Sequence, residues 1–276
     1  MTSILDTKVI TQSKGQTGGS RAAARGARRP NAKSGPEASA AQAHFTAEGL
    51  KFLRGLKRNN SRDWFEPRKP IYEREIKKPM LALITAITSE MESFAPAHVR
   101  APQKCMLRIY RDTRFSADKS PYKKHMAAWW TRTGLEKTSG AGFYLHVAAD
   151  EVFLGAGVYM PEPAQLLAIR TWLVEHHAEF RRLLEDRKLR RSMDVFEGMP
   201  LTRSPKGFPS EHPAADLFRC RQWGVSTTLP AEAALETSLA AEIVRRFRLA
   251  APLVDALNTP LISTPKASRK RLFPLY

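Results

Sequence analysis

Residues 142–160 read GFYLHVAADEVFLGAGVYM, and this stretch decides the fold. Apolar Phe143, Leu145 and Val147 alternate with polar or aromatic neighbours, and a second alternating run extends from Val152 to Met160. A period of two is typical of β-strands that bury one face. Because only a short polar turn separates the two runs, we predict that they pair as antiparallel strands.

Gly155 and Gly157 leave the other face of the second strand nearly bare. Such a face lets a ligand or another stretch of backbone come close, although glycines there also serve only to allow twist or close helix packing. The pair is not a dinucleotide-binding fingerprint, because the third glycine, the helix start and the downstream acidic residue of that motif are absent.

The other periodicities extend this hairpin into an α+β fold. Further strands are predicted over 126–132 and 223–229, and Trp129 and Trp130 in the first of them are expected in the core. Apolar residues at helical spacing predict helices over about 45–56, 67–94, 166–184 and 230–247, with a kink at Pro79. We therefore expect a single domain with a mainly antiparallel sheet of about four to six strands and helices packed on one face.

The chain is strongly basic, with 45 Lys and Arg against 27 Asp and Glu and a formal net charge of +18. This charge predicts attraction to polyanions such as nucleic acid, anionic membranes or phosphorylated ligands. Residues 1–43 are rich in Ser, Gly, Ala and Arg and are predicted to form a disordered basic tail. Residues 259–276 are expected to form a second basic tail, which leaves the folded domain at 44–258.

Cysteine and histidine usage predicts neither a disulfide framework nor a metal site. Cys105 and Cys220 show no ligand spacing, and none of the seven histidines has a diagnostic one. We expect no cofactor and a reducing, cytoplasmic location. No apolar stretch is long enough to cross a bilayer. The sequence does not predict an oligomeric state.

A second informative stretch, RIYRDTRFSADKSPY, occupies residues 108–122 and holds three arginines, two aspartates, a lysine and two tyrosines. If residues 106–112 form a strand, its side chains alternate between an apolar and a polar face. The polar face comprises Arg108, Tyr110 and Asp112, and Arg114 extends it. Arg111 falls on the apolar side by parity, which suggests that the strand ends or bulges there.

The rest of this stretch is typical of a tight turn. Asp118 can hydrogen-bond to its own backbone and Pro121 fixes φ, so Lys119 and Tyr122 are expected to be held in place. The sequence therefore predicts a preorganised cationic site with internal counter-charges.

The same residues carry a resemblance to a known family. The pattern Arg-x-x-Arg-Asp-x-Arg-Phe, three spacers and Lys-x-x-Tyr resembles the signature of the domain-of-unknown-function 2461 family. It is met by Arg108, Arg111, Asp112, Arg114, Phe115, Lys119 and Tyr122. Family-like pieces also occur at Asn59-Asn60 with Arg62, and at Lys69 and Tyr72. The resemblance spans roughly residues 45–255 and implies no established activity.

Three hypotheses remain open for this array. In the first, the cations bind a phosphate-bearing small molecule or nucleic acid, because the arginine fork suits bidentate bonds to phosphate. The residues assigned to this role are Arg108, Arg111, Arg114, Lys119, Tyr122, Arg62 and Lys69.

In the second hypothesis the protein is an enzyme. Asp112 or Asp118 acts as general acid or base on a phosphorylated or carboxylated substrate, with His146 or His212 as a substitute base. In the third, the arginines and aspartates form a structural ion-pair network that binds no ligand. The segment 59–65 either faces this array or caps a helix with Asn while Trp64 and Phe65 fill the core.

Overall fold

The computed structural model describes residues 43–114, 116–135 and 140–263 of the chain. In this part, five strands form one antiparallel sheet in the order β1-β2-β3-β5-β4. They are β1 (His125–Thr131), β2 (Gly142–Ala148), β3 (Glu151–Val158), β4 (Val195–Phe196) and β5 (Trp223–Pro230). The predicted α+β fold with a mainly antiparallel sheet is confirmed.

The described helices vary widely in length. They are α1 (Ala47–Arg58), α2 (Arg62–Phe65), α3 (Lys69–Tyr72), α4 (Lys78–Met91), α5 (Pro102–Cys105), α6 (Pro163–Leu184), α7 (Arg187–Ser192), α8 (Ala215–Arg219) and α9 (Leu239–Ser263). Short 3₁₀ turns lie at Glu66–Arg68, Pro96–His98 and Ala231–Leu235. None of the described helices is long and apolar enough to span a membrane.

The register of the strands shows which side chains share each face of the sheet. Leu145 pairs with Leu154, and both are fully buried on the face that the helices cover. On the same face, the ring of Phe247 from α9 lies 5.1 Å from that of Phe143. Tyr144 pairs with Gly155 on the opposite face. The predicted alternation therefore places a helix-covered core on one side and a more open surface on the other.

The strand considered for residues 106–112 does not form. Only isolated bridges form there, between Met106 and Ala128 and between Tyr110 and Tyr122. Pro121 has no N–H to donate across to this segment, so a continuous ladder does not form. The alternation nevertheless holds, because Ile109 is buried while the side chains on either side of it along the chain are exposed.

The chain is helical in pieces from Arg62 to Met91, so most of the predicted helix over 67–94 is present. A π-helical turn at Glu73–Lys77 precedes Pro79, the residue at which a kink was expected. Pro79 cannot donate a backbone hydrogen bond, and the helix adjusts by sending the Lys78 N–H to the Glu73 carbonyl. The preceding segment, residues 59–65, already contains α2, which the Ser61 side chain caps.

The helix predicted to start at Pro230 begins later, at Leu239. Residues Ala231–Leu235 form a 3₁₀ turn, which ends because Glu236 takes an extended conformation. Helix α9 then continues to Ser263, so residues 259–263 belong to a helix and not to a tail. The other residues of the two expected tails lie outside the described part of the chain, apart from Ala43.

Candidate functional site

Arg111 is fixed in the turn that follows Ile109. Its Nη1 donates to an Asp118 carboxylate oxygen at 2.6 Å and to the Ser120 carbonyl at 3.2 Å. The side-chain hydroxyl and backbone N–H of Ser120 also donate to Asp118. Together with Arg111, these Ser120 donors hold the pKa of Asp118 well below its usual range.

Arg114 and Asp112 form a second local pair. The guanidinium donates from Nε at 3.0 Å and from Nη2 at 2.8 Å to the two carboxylate oxygens of Asp112. These bonds lower the pKa of Asp112 to about 2. Both Asp112 and Asp118 therefore stay ionised near neutral pH, which suits a counter-charge and does not suit a general acid.

Three predicted cations are exposed and make no hydrogen bond or ion pair with a described residue. They are Arg108, Arg62 and Lys69. Lys119 differs, because its Nζ donates to the Thr113 carbonyl at 3.0 Å. Phe115 of the family-like signature lies outside the described residues.

Asn60 joins the segment after α1 to the arginine-rich stretch. Its amide nitrogen donates to the Tyr122 carbonyl at 2.9 Å, and its amide oxygen accepts from the Tyr122 N–H at 3.1 Å. Phe65 stacks on the Tyr122 ring with centroids 4.0 Å apart. The structure thus brings Tyr122 and α2, which carries Arg62, together. Segment 59–65 therefore contacts the arginine-rich stretch, as one of the two expectations had it. The other expectation also holds in part, since Phe65 is a fully buried core residue.

A cavity of about 530 Å³ lies on the sheet face opposite the helices, and we call it the sheet-face cavity. Trp129, Tyr144 and Phe153 contribute aromatic walls from β1, β2 and β3. Gly155 contributes no side chain where it pairs with Tyr144, so the floor there is bare backbone. Leu107 also lines this cavity. The expectation that Trp129 fills the core is wrong, while Trp130 does so with no exposure.

The two glycines of β3 have different roles. A Cβ on Gly155 would meet only side-chain atoms, the nearest being Phe153 Cε1 at 3.3 Å. A Cβ on Gly157 would overlap the Trp223 carbonyl oxygen, and this glycine has a φ of +139°. Gly157 is therefore required by the close approach of β5, whereas nothing in the backbone requires Gly155.

Tyr144, His146 and Glu151 form a hydrogen-bonded chain at the cavity. The Nε2 of His146 lies 3.1 Å from a Glu151 carboxylate oxygen, and its Nδ1 lies 3.3 Å from the Tyr144 hydroxyl. An ionised carboxylate only accepts, so the neutral imidazole carries its proton on Nε2 and accepts at Nδ1 from Tyr144. Burial lowers the pKa of His146 against the opposing effect of Glu151, and raises the pKa of Tyr144 to about 12.

The other candidate base, His212, is used locally. Its Nδ1 accepts from the backbone N–H of Ala214 at 3.0 Å in the turn before α8. His212 is absent from the described lining of the sheet-face cavity. Of the two histidines predicted as a substitute base, His146 therefore lines the sheet-face cavity and His212 does not.

His125 completes a stack of rings in the cavity wall. Its ring makes no hydrogen bond with a described residue and stacks on His146. Burial, the neighbouring His146 and the charge of Lys123 lower the pKa of His125 to about 4. Its imidazole is therefore neutral at physiological pH.

Other polar groups in the wall lack partners within the described part of the chain. The indole Nε1 of Trp129 is buried and donates to no described acceptor. Gln222 is 4% exposed, and its side-chain amide makes no hydrogen bond with a described residue. Among the described lining residues none is a lysine or an arginine, and Glu197 is the one carboxylate. One oxygen of Glu197 accepts from the Ser226 hydroxyl at 2.7 Å.

The cavity and the arginine-rich stretch are neighbours along the edge of β1. Leu107, a lining residue, donates its N–H to the Ala127 carbonyl of β1, and the next residue is the exposed Arg108. Within the described residues, no group of three or more His, Cys, Asp and Glu is placed to hold a metal ion.

Comparison with known proteins gives one match. A family model described as "Conserved hypothetical protein (DUF2461)" matches residues 48–255, in agreement with the resemblance of the signature. No curated protein and no solved structure matches the chain.

Proposed function

The chain belongs to the DUF2461 family of conserved hypothetical proteins, whose description names no activity, and from the sheet-face cavity we propose that it binds a flat, ring-containing small molecule. The observation that carries this proposal is a concave, aromatic-walled space of about 530 Å³ on a bare strand floor. Small-molecule sites are typically cavities of roughly 300–1,000 Å³ with apolar walls and a few polar groups.

The wall chemistry favours a planar occupant. Trp129, Tyr144 and Phe153 offer ring faces or edges, which attract other rings beyond their apolar area alone. A planar molecule can also lie against the backbone at Gly155, because no Cβ stands in the way.

The charge of the wall favours a neutral or cationic ring. The described lining has no cation to meet a phosphate or carboxylate, and it contains the Glu197 carboxylate. A buried anion without a partner is strongly disfavoured. If the ligand carries a phosphate, that group therefore lies outside the cavity, on the side where Arg108 follows Leu107.

The test is a titration of the full chain with indole, benzimidazole and quinoline, and with cyclohexanol as a non-planar comparison. Binding is read by thermal shift and by quenching of tryptophan fluorescence, since Trp129 lines the cavity. We expect the planar rings to raise the melting temperature, because a ligand that binds only the native state stabilises it. Cyclohexanol, which is not flat, should leave the melting temperature unchanged.

Two variants locate the binding. Gly155→Val fills the floor and is expected to abolish the response, whereas Thr228→Val adds an apolar group to the same sheet face at an exposed position outside the lining. If the Gly155→Val protein does not fold, Gly155→Ala serves as a smaller obstruction. Equal binding by wild type and the folded Gly155 variant would overturn the proposal.

A second candidate function is binding of a phosphate-bearing ligand or nucleic acid at the arginine-rich stretch. The observation that favours it is a set of exposed cations whose side chains make no hydrogen bond or ion pair with a described residue, Arg108, Arg62 and Lys69, on a chain of net charge +18. Arg111, Arg114 and Lys119 already have internal partners, which also supports the alternative that these residues form an ion-pair network. Tyr122 contributes through its backbone contact with Asn60.

If the protein is an enzyme, its acid–base groups are better sought in the cavity than in the arginine-rich stretch. Asp112 and Asp118 are held ionised, whereas Tyr144 and His146 form a chain that can accept a proton from a bound molecule and pass the resulting charge towards Glu151. We retain a cytoplasmic location as part of the proposal, because two buried cysteines that form no disulfide suit a reducing compartment.

A further inference from the structure

Gln222 is a buried side chain with unused hydrogen-bonding capacity. It lies just before β5, it is 4% exposed, and it lines the sheet-face cavity. Its backbone N–H donates to the Gly198 carbonyl at 3.3 Å, but its side-chain amide makes no hydrogen bond with a described residue. Buried side-chain amides in folded proteins are nearly always bonded. The Gln222 amide is not among the enclosed groups without a partner, so it is open to the cavity, where an occupant can bond it.

Trp129 is not a second group of this kind. Its Nε1 has no acceptor in the described part of the chain, but this nitrogen is enclosed and is not open to the cavity. Trp129 also lies far from Gln222, because it aligns through Tyr144 and Gly155 with Ser226, four residues along β5 from Gln222. Trp129 therefore offers an occupant its ring and not its N–H.

These requirements restrict the occupant. A glutamine amide presents an acceptor oxygen and donor hydrogens side by side in one plane, and it pairs best with an edge that presents a donor beside an acceptor. Amide-type and amidine-type edges of heterocycles have this arrangement, and the aromatic walls require the rest of the molecule to be flat. A hydrocarbon ring would leave the Gln222 amide unbonded, at a cost in affinity.

We infer that the cavity takes a heterocycle of nucleobase type, whose adjacent donor and acceptor pair with the side-chain amide of Gln222. This inference rests on the proposed binding of a ring in the cavity and adds the class of ring. Gln222 is then the residue that separates such heterocycles from plain aromatic rings.

The test compares rings that carry a donor beside an acceptor with rings that do not. Adenine, hypoxanthine and uracil carry an amide or amidine edge, whereas indole presents a donor alone and quinoline an acceptor alone. We expect at least one edge-bearing base to bind the full chain tenfold or more tightly than indole and quinoline. Discrimination of this size is what unpaired polar groups in a buried site produce.

Variants of Gln222 test whether its side-chain amide causes the tighter binding of edge-bearing bases. Gln222→Leu keeps a similar volume and is expected to weaken the edge-bearing base at least tenfold while leaving indole unchanged. Gln222→Glu, which removes the donor and keeps the shape, provides a second variant if the leucine protein fails to fold. Gln103→Leu, at an exposed position on α5 outside the cavity, is the matched control and should bind like wild type.

The outcomes separate this inference from the proposed function. If indole and the bases bind wild type equally, or if the Gln222 variants keep the full preference, the inference is overturned while ring binding stands. If no ring binds, or if Gly155→Val binds as wild type does, the proposed function and this inference fail together. Nucleoside monophosphates and short single-stranded oligonucleotides in the same assay tell whether the base arrives free or attached to a phosphate chain.

Discussion

The imidazole rings of His125 and His146 stack with centroids 4.5 Å apart and planes 23° from parallel. His146 stacks in turn on Phe153, with centroids 5.2 Å apart. Three flat rings therefore form a column across β1, β2 and β3 in the cavity wall. Burial lowers the pKa of both imidazoles, and His146 adds to this effect at His125, whereas Glu151 opposes it at His146.

This stack predicts a loss of stability on the acid side. His125 takes up a proton near pH 6.5 when unfolded and only near pH 4 when folded. Between these values the unfolded state binds more protons, so the free energy of unfolding falls as the pH drops through that window. We expect wild type to lose about 2 kcal/mol more than His125→Phe between pH 7 and 4.5, a figure reduced for the partial exposure of the ring.

Urea unfolding at the two pH values measures this difference. Phenylalanine keeps a flat ring against His146 and removes the titrating group, so both proteins should have similar stability at pH 7. Parallel loss of stability in the two proteins would show that His125 does not carry the effect.

The two glycines of β3 give a matched pair of substitutions. Gly157→Ala is expected to lower the free energy of unfolding by about 3 kcal/mol or more, because the new Cβ overlaps the Trp223 carbonyl and lies 2.5 Å from Gly224 Cα at a positive φ. Gly155→Ala should change it by less than about 1 kcal/mol, since only the Phe153 ring must adjust. Chemical denaturation of both proteins checks the order, and a reversed order would contradict the assigned roles.

The contrast between these glycines also shows where sequence reasoning succeeds and where it ends. Alternation in 142–160 predicts the β2–β3 hairpin because each strand buries one face, and that preference is local. It also places Tyr144 and His146 on the polar face. The alternation does not reveal that Trp129 lies opposite Tyr144, because this depends on the register between β1 and β2.

The failures in the sequence-based predictions have the same origin. The segment 106–112 has a strand-like pattern, but its hydrogen bonds are decided by which part of the chain passes beside it. Strand β4 is two residues long and too short to produce a period. Gln222 gives no signal in the sequence, because an amide becomes informative only when its burial and its missing partner are known.

Asn60 offers a test of how the arginine-rich stretch is held. Asn60→Ala removes both hydrogen bonds to the backbone of Tyr122, a residue that is 1% exposed, and leaves its N–H and carbonyl without those partners. We expect the free energy of unfolding to fall by about 2 kcal/mol. Asn59→Ala is the matched control and should cost less than about 1 kcal/mol, since the one bond of the exposed Asn59 side chain to a described residue is to the Gly55 carbonyl at the end of α1. Similar losses of stability for the two variants would show that the two hydrogen bonds from Asn60 to Tyr122 do not hold the arginine-rich stretch in place.

The exposed cations predict how the protein binds single-stranded nucleic acid. Each contact with a phosphate releases counterions, so affinity falls with salt and the slope of log K against log salt measures the number of contacts. Arg108→Ala removes an exposed guanidinium that makes no hydrogen bond or ion pair with a described residue, and should weaken binding and reduce the slope by about 0.7. Arg187→Ala removes an equal charge from an exposed position on α7 and should leave the slope unchanged if binding is localised to the arginine-rich stretch.

Arg114→Ala separates ligand binding from the ion-pair network. The Arg114 side chain is 76% exposed and pairs with Asp112, so its loss should leave the free energy of unfolding nearly unchanged, because exposed pairs contribute little. It should nevertheless weaken polyanion binding, since the Asp112 carboxylate would then repel phosphate without a counter-charge. Fluorescence anisotropy with a labelled oligonucleotide and urea unfolding give the two readouts on the same protein. A large loss of stability with unchanged binding would instead favour a structural network, because breaking it would then affect the fold and not the contact with phosphate.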